Sequence, residues 1–168
     1  RRGQMFIRVR GFWGWPAPHG VAPSAVTTWT TLRDRTAAEL AQFRAVFIGG
    51  GNTFALWHEF ACSGFLPTLR AHLASGAWLG SNSAGSLILG QDFRYAHDPN
   101  DVGLATFTGM QQVGRYAAWA HYTPDPHDAE IADFFATSGI PVLAMANHGA
   151  VEVIGNVATV VSAQPVYV

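Results

Sequence analysis

Short apolar runs alternate with helix-like segments along most of this 168-residue chain. The run at 45–48 stops at three glycines, as a buried parallel strand does where it meets a binding loop. Similar runs follow at 77–80, 117–120 and 141–146, with helical segments between them. This alternation predicts an α/β fold, a three-layer sandwich with a mostly parallel central sheet whose sites lie at the carboxyl ends of strands.

Local signals place the remaining elements. Thr36 and Glu39 have the spacing of a capping box, which predicts a helix over 37–43. A helix should follow Asn52-Thr53 and run through Phe60, with a break at Gly64. Other predicted elements are a short strand at 5–10, helices at 67–74 and 128–136, and an antiparallel finish formed by 151–154, 157–161 and 166–168.

Length and charge limit the class of protein. A chain of this length forms a single domain over residues 1–168 and can bury roughly 70% of its unfolded surface. A formal net charge of -1 without a basic patch argues against nucleic acid as a partner. No apolar run approaches the roughly 20 residues of a membrane span. All ten cationic side chains are arginine, which excludes lysine chemistry.

The single cysteine, Cys62, cannot form an internal disulfide, which favours a reducing, cytoplasmic location. Its apolar surroundings predict that it lies in the core. No signal-peptide pattern opens the chain, which supports the same location.

The segment 78–86 has the pattern of a nucleophile elbow, in which an apolar strand runs through small residues into a helix. Ser83 would project its hydroxyl from this turn, and the backbone N–H of Ala84 would face a developing oxyanion. Gly85 fits the pattern, but Ser81 stands where a glycine is usual. A serine-rich loop that caps a core helix is the alternative interpretation.

The glycines at 49–51 lie between a predicted strand and a predicted helix. They lack the lysine of a phosphate-binding loop and the spacing of a dinucleotide fingerprint, so no ATP, NAD or other cofactor is expected. Backbone N–H groups of Gly50 or Gly51 could form the second half of an oxyanion hole. A tight structural turn is the alternative.

The chain has seven histidines, and their positions relative to the predicted elements indicate which one could be the general base. His121 ends an apolar run, at the strand end where the elbow also lies, and is the candidate base. His58, His72 and His127 fit helices, whereas His97 and His148 lie on loops. No metal site is predicted, because zinc-binding spacings are missing. The carboxylates that could orient the base are Asp92, Asp98, Asp101, Asp125 and Asp128.

The turn Gly-Gly-Gly-Asn-Thr-Phe at 49–54, the Ser-Ala-Gly elbow at 83–85 and the pair His121-Tyr122 together resemble the aspartyl dipeptidase (dipeptidase E) family of serine peptidases, which includes cyanophycinases. The resemblance covers roughly residues 45–155. It implies a flavodoxin-like, class I glutamine amidotransferase-like fold and hydrolysis of dipeptides with an N-terminal aspartate.

The resemblance assigns roles to particular residues. Ser83 is the nucleophile and His121 the base, with Asp98 as the third member of the triad. Gly50 or Gly51, with Ala84, forms the oxyanion hole. Asn52 and Arg94 are assigned to substrate binding. Arg94 could hold a substrate carboxylate through two parallel hydrogen bonds.

Three features depart from the family. His148 stands where the family tends to have a glutamate, so the acid is Asp98 or is missing. The segment 128–133 is acidic where the family is arginine-rich, which argues against a cyanophycinase. An N-terminal strand and helix are expected to be short or absent before about residue 20, which would leave a sheet edge for a partner chain in a homodimer.

Three functions follow from these residues. The leading hypothesis is a serine hydrolase of small peptides that forms an acyl-enzyme at Ser83. The second is a catalytically inactive relative that binds a small carboxylate near Arg94. The third, an amidotransferase-type enzyme that uses Cys62, fits poorly because Cys62 does not lie on an elbow.

Overall fold

A computed structural model of the chain describes residues 3–7, 22–155 and 157–168. Strands and helices alternate through most of it, as predicted. The elements in chain order are β1 (Gly3–Ile7), β2 (Val26–Trp29), α1 (Ala37–Leu40), β3 (Phe43–Ile48), α2 (Thr53–Ser63), α3 (Leu66–Ala74), β4 (Trp78–Ser81), α4 (Ala84–Leu89), β5 (Ala117–Ala120), α5 (Pro126–Ser138), β6 (Val142–Met145), β7 (Val151–Ile154), β8 (Val157–Val160) and β9 (Val166–Tyr167), and a 3-10 turn (Pro23–Ala25) precedes β2.

The described residues form two compact units. The first comprises those up to Gly85 together with Pro99–Val102. The second comprises Ser86–Asp98 together with the described part of Gly103–Val168. The single domain over 1–168 stays a prediction.

The first unit contains a four-stranded sheet in the order β2-β1-β3-β4, with every neighbouring pair parallel. The predicted strand at 5–10 begins earlier, at Gly3, and residues 8–10 lie outside the described part of the chain. Strand β1, five residues long, lies between β2 and β3, and the expectation that the N-terminal strand and helix are short or absent stays a prediction. The helix expected before residue 20 falls outside the described residues.

The core of the first unit is built where the helices meet the sheet. Phe60 of α2 and Leu69 of α3 are fully buried. Trp29 at the end of β2 packs edge-on against Phe43 and Phe65, with ring centroids 5.9 and 5.8 Å apart. Burial of these large side chains is the main source of stability for the unit.

The second unit contains two smaller sheets. Strands β5 and β6 pair in parallel, and β9 joins β6 in the antiparallel direction. Strands β7 and β8 form an antiparallel hairpin, which confirms the predicted change of direction near the end. The core lies around Trp119, Tyr122 and Phe134, and the Tyr95 ring stacks on Trp119 at 4.6 Å.

The observed class is α/β, with parallel strands joined through helices. Within the described residues the strands pair in three sheets of four, three and two strands, so a single central sheet in three layers stays a prediction. None of the helices seen in the described ranges combines the length and apolar character needed to cross a bilayer.

Candidate active site

Ser83 lies on a tight turn between β4 and α4, as the small residues around it predict. Its backbone has a φ of 49°, in the left-handed region that a residue with a Cβ seldom adopts. The N–H of Gly85 donates to the carbonyl of Asn82 at 2.9 Å and closes the turn. A strained strand-to-helix turn with a serine at its tip has the geometry of a nucleophile elbow.

Glycines allow two backbone segments to approach each other at Ser83. A Cβ added at Gly50 would lie 2.9 Å from Ser83 Cβ and 3.3 Å from Ser83 Oγ. A Cβ added at Gly85 would lie 2.2 Å from the carbonyl oxygen of Ile48. The N–H of Asn82 also donates to that carbonyl, at 3.2 Å. The glycine turn after β3 therefore lies against the Ser83 side chain.

The Asn52 side chain makes two hydrogen bonds within the first unit. Its Oδ1 accepts from the N–H of Ala55 at 2.8 Å, which caps the first turn of α2. Its Nδ2 donates to the carbonyl of Pro99 at 2.8 Å, which holds the 99–102 segment. These bonds give Asn52 a structural role; its predicted part in substrate binding stays a prediction.

His121 directly follows β5, as predicted, and is exposed with a backbone φ of 58°. Its Nδ1 lies 2.6 Å from Oδ1 of Asn147, which follows β6. Asn147 was not predicted as a site residue. Its position after a buried strand, the same position that singled out His121, was the available signal.

Arg94 is joined to Asp92 within the second unit. Its Nε donates to both carboxylate oxygens of Asp92 at 3.0 Å, and its Nη2 donates to Oδ2 at 2.6 Å. Asp92 is buried, and its hydrogen bonds and charge raise the pKa of Arg94. The Arg94 side chain stays 54% exposed, so part of the guanidinium faces solvent.

Asp98 is half-buried and lies in the second unit, next to His97. The His97 ring bonds the carboxylate of Glu130 through Nε2. The role of Asp98 as the triad acid stays a prediction.

Three of the other histidines lie on helices, as predicted. His127 lies in the first turn of α5, as predicted, and its Nδ1 accepts from the N–H of Thr123 at 3.0 Å. His58 and His72 lie half-buried on α2 and α3. His148 is exposed in the turn after β6, and His19 lies outside the described residues.

The expectation that Cys62 is a core residue is wrong. Cys62 is exposed, because it lies on the outer side of the last turn of α2. Its Sγ is 3.4 Å from Nε2 of His58, one helical turn earlier. The part of the chain that the structure describes holds no group of three His, Cys, Asp or Glu side chains that could bind a metal ion.

The predicted site residues fall in both units. Ser83 and Gly50 are brought together in the first, and Arg94, Asp98 and His121 belong to the second. The first unit also contains three further predicted residues, Gly51, Asn52 and Ala84.

A profile of Peptidase family S51 matches residues 14–161. The chain belongs to peptidase family S51. An uncharacterised peptidase from Pasteurella multocida (strain Pm70), PM1590, is 28% identical over 120 residues, which cover 67% of this chain and 57% of that protein. Membership confirms the predicted family and supports the predicted enzyme class, a serine peptidase.

A solved structure shares the fold. The 1.5 Å crystal structure of a Listeria monocytogenes EGD-e protein, provisionally described as a peptidase E, aligns with a TM-score of 0.72 at 19% identity. The alignment covers 97% of this chain and 87% of that one. This chain spans only 57% of the length of PM1590. The activity, substrate and partners of this chain are therefore proposals.

Proposed function

We propose that this S51 family member is a serine-type hydrolase of small peptides, a dipeptidase that acts on dipeptides with an N-terminal aspartate. The observation that carries the proposal is the turn at Ser83, which combines a left-handed φ of 49° with the close approach of Gly50. A capping serine in an ordinary loop needs neither the backbone strain nor the approach of a second glycine turn.

In the proposed reaction, Ser83 Oγ attacks the peptide carbonyl while His121 removes the hydroxyl proton. His121 then donates that proton to the leaving amine, the C–N bond breaks, and an acyl ester remains on Ser83. Water hydrolyses the ester with His121 again as base. The N–H groups of Ala84 and of Gly50 or Gly51 stabilise the oxyanion that forms in each half.

Substrate selection is assigned to Asn52 and Arg94, with Asp98 as the third member of the triad. A guanidinium edge of Arg94 that faces solvent is chemically suited to the carboxylate of an aspartyl substrate. We also propose the fold predicted from the sequence, a three-layer flavodoxin-like sandwich, and a cytoplasmic homodimer. The proposed partner is a small peptide substrate, and neither nucleic acid nor a membrane is proposed as a partner.

Labelling by a fluorophosphonate, which reacts with activated serines, tests the proposal. We expect wild-type protein to carry the label on Ser83, and S83A to lose both the label and turnover while its free energy of unfolding stays within about 1 kcal/mol. H121A should label far more slowly. H58A, a histidine variant on α2, is the matched control and should label at the wild-type rate.

Substrate class is tested with pairs of dipeptides that differ only in the first residue. Turnover of an aspartyl dipeptide together with slow turnover of its alanyl and asparaginyl counterparts supports the aspartyl assignment.

In the labelling experiment, S83A that labels as fast as wild type would contradict the role of Ser83.

A second candidate is an inactive relative that binds a small carboxylate. One observation favours it: Nδ1 of the His121 ring bonds the uncharged amide of Asn147, where a triad usually has a carboxylate. Protein that binds aspartate in calorimetry but neither labels nor hydrolyses dipeptides would favour this candidate over the peptidase.

A further inference from the structure

His121 and Asn147 lie at the same edge of the second unit because of how two strands pair. Strands β5 and β6 run in parallel with Ala120 opposite Met145. His121 is therefore the first residue beyond β5, and Asn147 lies two residues beyond Met145. Side chains that follow adjacent parallel strands meet at the carboxyl edge of the sheet.

Backbone hydrogen bonds hold both residues in place. The N–H of Tyr122 donates to the carbonyl of Met145 at 2.9 Å, which extends the pairing beyond His121. The N–H of Gly149 donates to the carbonyl of Ala146 at 2.8 Å and closes the turn that carries Asn147. A Cβ at Gly149 would lie 3.2 Å from the backbone N and O of Ala146, so this turn is tight.

The side chains complete the arrangement with a bond of 2.6 Å between His121 Nδ1 and Asn147 Oδ1. An amide oxygen can only accept, so the ring proton must lie on Nδ1, and Nε2 keeps the lone pair that a general base needs. We infer that Asn147 is the positioning residue of the base: it holds the His121 ring in the Nδ1–H tautomer. This inference rests on the proposed function.

The inference gives Asn147 the orienting part that the proposed triad assigns to Asp98, and it replaces that one assignment of the proposed function. An amide oxygen can fix the tautomer and the direction of the ring as a carboxylate does, and cysteine proteases use an asparagine in this way. An amide carries no charge, so it lends little electrostatic support to the imidazolium. Replacing it with a carboxylate should therefore preserve or improve the orienting function.

The first measurement is the tautomer of His121, read from the ¹⁵N chemical shifts of its ring at a pH where the ring is neutral. We expect the Nδ1–H form in wild type and in N147D, and a shift of the proton to Nε2 in N147A. H148A changes the neighbouring residue of the same turn and should keep the Nδ1–H form. D98A should keep it too.

The second measurement is the kinetics of the same variants with an aspartyl dipeptide. N147A should lower kcat about 100-fold with little change in KM, because the base is misplaced while substrate contacts remain. N147D should restore kcat to near or above the wild-type value. A merely structural role would predict neither the tautomer change nor the rescue.

The outcomes separate this inference from the proposed function. A wild-type ring protonated on Nε2, or a tautomer that D98A or H148A alters and N147A does not, overturns the role of Asn147. A protein that shows the expected tautomers but neither labels at Ser83 nor hydrolyses peptides overturns the proposed function and, with it, the catalytic meaning of the contact.

Discussion

At the scale of single residues, Ser83 combines a proposed catalytic role with backbone strain. A left-handed conformation costs a residue with a Cβ about 1 kcal/mol, and Ser83 adopts it at a φ of 49°. Nothing in local propensity favours a serine there, since glycine would adopt the turn without steric cost. The strain is consistent with a hydroxyl that must project from this turn.

Replacing Ser83 with glycine should therefore separate strain from chemistry. We expect S83G to unfold with a free energy about 1 kcal/mol higher than that of S83A, since both lack the hydroxyl and only S83G loses the strain. Urea denaturation of the two variants measures the difference. S83G less stable than S83A would show that contacts of the Cβ outweigh the backbone term.

Arg94 is a second residue whose role can be divided by measurement. Its bonds to buried Asp92 are structural, whereas the prediction from the sequence is recognition of a substrate carboxylate. R94A leaves the Asp92 carboxylate with fewer donors and should lower the free energy of unfolding by about 1 to 2 kcal/mol. Part of the pair is exposed, which keeps the cost in this range.

Chemical denaturation and dipeptide kinetics together decide between the two roles of Arg94. A rise in KM for aspartyl but not alanyl dipeptides would add the substrate role to the structural one. R33A, at an exposed arginine in a turn, is the control and should change stability by less than about 0.5 kcal/mol. R94A with unchanged stability would contradict the structural role.

At the scale of elements, the junction between β3 and α4 depends on one glycine. Gly85 lies in the first turn of α4, where alanine would be the better helix former by about 1 kcal/mol. The Ile48 carbonyl oxygen, 2.2 Å from an added Cβ, blocks that gain. Because the obstacle is backbone, the strand or the helix would have to move.

We expect G85A to lower the free energy of unfolding by about 3 kcal/mol, the size of a severe overpacking. G64A is the control: its Cβ would meet nothing within 4 Å, so only the left-handed φ of 68° is penalised, by about 1 kcal/mol. Thermal and urea unfolding measure both. An alanine at 85 that stabilises the protein would mean that propensity outweighs the contact.

Several elements could be predicted because their signals are local. The Thr36–Glu39 capping box forms as expected, and Gly64 ends α2 in a left-handed conformation. Helix α1 is shorter than predicted because the chain enters β3 at Phe43, whose side chain is buried. Strand β2 was missed because two exposed threonines interrupt its apolar pattern.

The candidate site was predictable to the same extent. The small residues around Ser83 and the apolar run before His121 are local signals, and both residues lie where they were expected. Asn147 also follows an apolar run, but this local signal does not pair it with His121, because their contact depends on the register between β5 and β6, which are separated by a whole helix. The exposure of Cys62 could not be predicted for a similar reason, because it depends on which side of α2 packs against the rest of the chain.

At the scale of the whole molecule, Glu39 and Tyr122 should contribute to the pH dependence of stability. Hydrogen bonds from the backbone and side chain of Thr36 lower the pKa of Glu39 below 4.5. Its contribution is therefore present above that pH and lost as the pH falls through the lowered value. The hydrogen bond to Asp128 raises the pKa of Tyr122 from 10.0 to about 12, so this contribution is present below pH 10.0 and lost as the pH rises towards 12.

Urea unfolding across pH should therefore give a curve with two falling limbs that different variants alter. We expect E39Q, in the first unit, to flatten the acid limb and leave the alkaline limb unchanged. Y122F, in the second, should flatten only the alkaline limb, and in part, because burial also raises the pKa of Tyr95. Each variant is thus the control for the other. An alkaline limb that is identical in Y122F and wild type would show that the Tyr122 bond to Asp128 does not contribute to the stability of the folded chain.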